Sequence, residues 1–210
     1  MMISAESYYE EYLKNKPIYE IQKCIRNLKK EIGHCKGVLE KNDETNTELL
    51  ICPSPQTKIS CNLMYLDIAK KALEDAGGHY VMSASEIKVE DFNNKLNYMK
   101  SFTFEIGGFF GGYTVHSITL EPEFRYSRFN RYMPEDASNR EDFGYHKDEF
   151  IAMIKELRLG EWKHKYVDPC VLDGTQWELT IEYINGYKAQ KFYGSNAYPW
   201  NFNKLKDIFE

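Results

Sequence analysis

The chain has 210 residues, 42% of them hydrophobic and 15% aromatic, with 27 Lys and Arg against 32 Asp and Glu for a net charge of −5. That length and apolar content supply the core of one compact domain or two small ones, which excludes global disorder. The charge is even along the chain, 11 basic against 12 acidic side chains in residues 1–80 and 16 against 20 in 81–210, so duplex binding driven by phosphate neutralisation is disfavoured.

From Ile3 to Leu13 the residues suit a short helix, and Pro17 fits the first turn of a second, where its missing N–H costs nothing. In that second helix Ile18, Ile21, Ile25, Leu28, Ile32, Cys35 and Leu39 recur three and four apart. Lys23, Arg26, Lys29, Lys30 and Glu31 take the other side. A seam that narrow needs another helix against it. Ser54-Pro55 provides an N-cap and an N1 proline for a third helix carrying Ile59, Leu63, Leu66 and Leu73 to Gly77-Gly78, and the two are expected to pair as an antiparallel hairpin.

Residues 84–100 suit a further short helix around Ile87, Phe92 and Leu96. Ser101–Ile106 and Tyr113–Leu120 alternate in strand fashion across the turn Gly107-Gly108-Phe109-Phe110-Gly111-Gly112, predicting a β-hairpin. Phe124 to Met133 is aromatic and basic, Pro134 to Asp142 acidic and loop-like, and His146 to Leu159 a helix ended by Gly160. Trp177–Tyr183 alternates strictly, Asn185-Gly186 is the preferred type I′ pair, and Tyr187–Tyr193 returns as the partner strand. A helix from Asn203 to Phe209 then covers the sheet. The fold class is α+β: an N-terminal antiparallel helical hairpin over 1–80, then an antiparallel β-hairpin-rich region with covering helices over 81–210.

Five cysteines, an odd number with no C-x-x-C pair, point to reduced thiols in a cytoplasm. MMISAESYYEEY has no basic region before an apolar one, and no run approaches the roughly 20 apolar residues that span a bilayer, so no membrane partner is expected. Adjacent His34 and Cys35 diverge on a helix, and Cys52 and Cys61 lack a matching pair, so neither a metal nor a cofactor is expected.

The glycine turn lacks the G-K-[ST] ending and following helix of a phosphate loop, and reads as a wide turn presenting Phe109 and Phe110 to a protein partner. Phe124–Tyr132 sets Arg125, Arg128 and Arg131 among aromatics such as Tyr126, a composition that can stack bases or, beside Glu121, Glu123, Glu135 and Asp136, form ion pairs. For acid–base chemistry His146 and His164, with Glu161 and Asp173, are the candidates, and no spacing fixes their geometry.

The opening M-M-I-S-A-E-S-Y-Y-E-E-Y-L-K, the I-G-G-F-F-G-G-Y turn and the closing D-G-T-Q-W-E-L and Y-G-S-N-A-Y-P resemble a poorly characterised family from Firmicutes mobile elements. The resemblance implies a context: accessory proteins of conjugative elements and plasmids often antagonise host defence, and some inhibit Cas9-type effectors. The expectation is an anti-CRISPR-like binding protein, more a docking inhibitor than an enzyme. Its partner would be a protein effector with its guide RNA, met through Phe109, Phe110, Arg125, Tyr126, Arg128 and Arg131. Two alternatives stay open, a ribonuclease using His146 or His164 and a self-associating module that dimerises through the N-terminal helices.

Overall fold

The computed structural model describes residues 3–41, 52–108, 111–140, 143–171 and 173–210, with backbone alone for 134–140. The chain forms two compact units, Met1–Met82 and Ser83–Glu210, and its class is α+β.

In the first unit α1 (Ala5–Tyr12), α2 (Ile18–Lys41) and α3 (Pro55–Asp75) form a small helical core. Ser4 and Ser54 cap α1 and α3, their hydroxyls accepting from Ser7 N at 3.0 Å and Thr57 N at 3.2 Å. The heptad face of α2 meets α3: Ile21, Ile25, Leu28 and Ile32 are buried with Tyr65, Leu66, Ala69 and Leu73. The seam expected to carry a homodimer is therefore buried against the chain's own α3. Tyr8 of α1 stacks on Tyr65 with ring centroids 4.0 Å apart, and burial followed by its bond to Cys24 raises the Tyr8 phenol.

The second unit runs α4 (Ala84–Lys95), β1 (Met99–Gly108), β2 (Gly112–Thr119), β3 (Arg125–Asn130), β4 (Met133–Arg140), α5 (Lys147–Glu156), β5 (Lys165–Val167), β6 (Gln176–Tyr183), β7 (Gln190–Ser195) and α6 (Phe202–Asp207). The seven strands lie in the order β4-β3-β2-β1-β6-β7-β5, antiparallel except where β5 runs parallel to β7. The inner face, with Phe102, Phe104, Ile118, Leu179, Ile181 and Phe192, packs on Phe92 of α4, Phe150 and Ile154 of α5, and Leu205 and Phe209 near the end of the chain. Among the described residues no helix is long and apolar enough to cross a membrane.

Three elements depart from the sequence reading. Within the stretch 124–142, expected to be an aromatic segment followed by a loop, residues 125–140 form the β3–β4 hairpin. Its inward β3 positions include Arg128 and Asn130, and β4 is polar after Met133, so no apolar alternation marks either strand; a polar, proline-bearing edge strand held by backbone bonds is a known way to blunt a sheet edge. The helix α5 ends at Glu156, and Arg158, just past the Leu157 cap, takes the left-handed conformation at φ 52°. Gly160 serves close packing instead, since a Cβ there would lie 2.8 Å from Val89 Cα of α4. In the last hairpin the ladder begins at Gln190, yet Ile181 pairs with Gln190, the register that a two-residue turn at Asn185-Gly186 sets.

Candidate functional site

Successive strand residues point to opposite faces, so β3 divides the basic cluster. Ser127 and Phe129 lie on the outer face beside Ser117 and Val115 of β2, while Tyr126 and Arg128 lie on the inner face beside Ile118 and His116. The three arginines do not form one patch. Arg125 pairs with Glu123 at 2.5 Å, and Arg131, just past β3, pairs with Glu105 of β1 at 2.6 Å. Tyr126, expected as a binding residue, is 5% exposed and belongs to the core. Phe109 and Phe110 lie outside the described residues.

The outer face carries a second arrangement. The Arg131 guanidinium sits 5.6 Å from the centre of the Tyr113 ring, and Tyr132, 71% exposed, meets the same ring edge-on at 6.2 Å. Tyr113 donates to Gln176 Oε1 at 2.9 Å, which ties this cluster to β6. Val115, opposite Glu105 and Phe129 on the same face, is buried and is absent from both hydrophobic core clusters. Further along the face Lys191 lies 3.7 Å from Glu178, and the Tyr193 ring has the Lys165 ammonium 5.5 Å from its centre.

His146 and His164 do not meet. His146 precedes α5, and its backbone N–H donates to Glu149 at 2.9 Å. His164 leads into β5, stacked on Phe192 with ring centroids 5.4 Å apart and with Nδ1 3.1 Å from the Lys191 carbonyl. Both are exposed, and Glu161 is engaged by Arg158 at 2.7 Å. Among the described residues no group of three or more His, Cys, Asp or Glu is placed to hold a metal ion.

The histidine that the fold builds into a site is His116, absent from the candidates read off the sequence. It is 6% exposed on the inner face of β2, with Nδ1 2.8 Å from the Tyr126 hydroxyl and its ring 4.7 Å from that of Phe209. Burial first, and then the Arg128 guanidinium, lowers the imidazole to about 4, so the ring is neutral near pH 7. It lines a cavity of about 400 Å³ with Phe104, Ile106, Thr114, Arg128, Lys206 and Phe209. The signal was present in the sequence: within Tyr113–Leu120, His116 shares parity with Ile118 and Leu120, the apolar set that must face the core.

No family model, curated protein or solved structure matches this chain. What its surfaces can do follows from their own chemistry.

Proposed function

We propose that the protein is a mobile-element accessory protein that docks through the outer face of its sheet on a host nucleic-acid-guided defence effector of the Cas9 type and inhibits it. The observation that carries the docking surface is the Tyr113–Arg131–Tyr132 cluster. Tyrosine and arginine are the residues most enriched at the energetic centres of protein interfaces, because they combine large rigid area with a polar tip. The sequence resemblance to mobile-element proteins directs the choice of partner.

Charge favours the effector protein over its RNA as the surface contacted. Arg125, Arg131 and Lys191 each face a carboxylate, at 2.5, 2.6 and 3.7 Å, so the face is close to neutral and gains little from phosphates. The chain's net charge of −5 likewise suits a basic protein surface.

The test is retention of a purified effector–guide complex by the immobilised full chain, with the bound guide sized afterwards. The expected result is retention with full-length guide, weakened about 30-fold by Arg131→Glu combined with Tyr132→Ala, the equivalent of a hot spot worth about 2 kcal/mol. Capture of guide RNA alone, a shortened guide, or no retention overturns the proposal.

A further inference from the structure

The cavity around His116 has the makings of a ligand site independent of the docking face. Register places its strand residues in two rows. Phe104, His116 and Arg128 lie opposite one another across β1, β2 and β3, and Ile106 and Thr114 occupy the next inward positions. The end of the chain closes the other side with Lys206 and Phe209, and Glu210 stands 3.8 Å from Lys206. Phe104, Ile106 and Phe209 give the cavity its apolar lining, and Thr114, His116, Arg128, Lys206 and Glu210 its polar groups.

Apart from the Glu210 carboxylate, which faces Lys206, those polar groups can donate. In the tautomer whose Nδ1 accepts from the Tyr126 hydroxyl, the single proton of the neutral His116 ring is on Nε2 and can be donated into the cavity. The Arg128 guanidinium and Lys206 ammonium can only donate, and the Thr114 hydroxyl can do so. A buried imidazole beside Arg128 and the Lys206–Glu210 pair leaves one net positive charge next to aromatic walls, which matches an acceptor-rich acidic group attached to a flat apolar body.

We infer that this cavity binds a single-ring organic acid, its ring on Phe104, Ile106 and Phe209 and its carboxylate or phosphate on His116, Arg128 and Lys206. A volume of about 400 Å³ lies near the lower end of the range for small-molecule sites, which suits one ring and excludes a nucleoside triphosphate.

The probes are phenylacetate and phenyl phosphate, with benzyl alcohol as the neutral analogue and inorganic phosphate as the acid without a ring. Each is titrated into the full chain while the His116 ring resonances and the melting temperature are followed. The expected result is saturable movement of the His116 resonances by at least one of the two acids, with benzyl alcohol and inorganic phosphate at least tenfold weaker. The tighter acid identifies the acidic group. Lys206→Gln and Arg128→Gln should each weaken that acid about tenfold, the scale of one charge-assisted hydrogen bond. The inference is overturned if neither acid moves His116, if benzyl alcohol binds as tightly, or if both variants bind like the parent. Should Arg128→Gln not fold, Lys206→Gln and the neutral analogue on the unaltered chain still decide.

Discussion

Replacing Gly194 with alanine is expected to unfold the end of the sheet at which β6 and β7 meet. An alanine Cβ at this position would stand 2.2 Å from Trp177 Nε1 and 2.6 Å from the Ala197 carbonyl oxygen, far inside contact distance. The indole cannot swing aside. Trp177 is 3% exposed, with ring centroids 4.9 Å from Phe202 and 5.9 Å from Trp162, and its Nε1–H donates to that same Ala197 carbonyl at 3.0 Å. Overpacking a core of this kind costs about 1–3 kcal/mol, and a buried N–H left without its acceptor about 1–3 kcal/mol more, so a loss of about 4 kcal/mol is expected. For a unit of this size that corresponds to a fall of roughly 10–25 °C in melting temperature. Calorimetry gives the shift, and tryptophan fluorescence reports whether Trp177 has left its site. Gly111→Ala is the control: a Cβ there meets nothing within 4 Å, and it should stay within about 0.5 kcal/mol of the parent. A Gly194→Ala protein melting within a few degrees of the parent would refute this account of how Trp177 is held.

Asn201 is 2% exposed and serves two buried partners, accepting from Trp162 Nε1 at 2.9 Å and donating from Nδ2 to the Leu157 carbonyl at 2.7 Å. Asn201→Ala strands both groups and should cost about 2–5 kcal/mol, read as a lowered urea midpoint with unchanged slope; Asn201→Asp keeps the Trp162 acceptor but sets an oxygen against the Leu157 carbonyl and buries a carboxyl, so it should not restore the parent midpoint. The His116 ring, held at about 4 in the fold among Tyr126, Arg128, Lys206, Phe104 and Phe209, titrates at its ordinary value when unfolded. The unfolded chain thus binds a proton that the folded chain refuses, and stability falls as pH drops from about 6.5 towards 4. From pH 7.5 to 5.0 the His116 contribution to that fall should be about 1–2 kcal/mol, after allowance for solvent reaching the cavity. Urea midpoints of the parent and of His116→Gln at the two pH values check this, and equal losses in both would exclude His116 as the source.

Legibility followed the apolar pattern. The α2 seam and its α3 partner, the β1–β2 hairpin and the register of the last hairpin could be read because burial there demands a regular apolar spacing. The β3–β4 hairpin could not, since its backbone bonds need no apolar side chain and its inward positions carry Arg128 and Asn130. The candidate site failed to show for the same reason. Composition put Arg125, Arg128 and Arg131 together, whereas strand parity puts Arg128 in the cavity with His116 and leaves Arg131 on the opposite face with Tyr113. No adjacent acid marks His116 in the sequence, and its partner Tyr126 is ten residues away across a strand pair.

Three of the glycine- and asparagine-bearing strings singled out in the sequence have a structural basis of their own. A Cβ on Gly108 of the first glycine turn would press on the Gly174 carbonyl at 2.9 Å, and one on Gly174 would collide with the Asn196 side chain. Asn196, at φ 56°, donates through its backbone N–H to Thr175 O at 2.9 Å and through Nδ2 to Val171 O at 3.2 Å. I-G-G-F-F-G-G-Y, D-G-T-Q-W-E-L and Y-G-S-N-A-Y-P therefore meet at one end of the sheet, and each constrains the next by close approach of backbone to backbone or side chain. What these three strings determine is the sheet and its closure. Arg131 and Tyr132 on the outer face, and His116 and Arg128 in the cavity, lie outside these three strings. Activity must be decided at those residues, and the docking and ligand experiments address one set each.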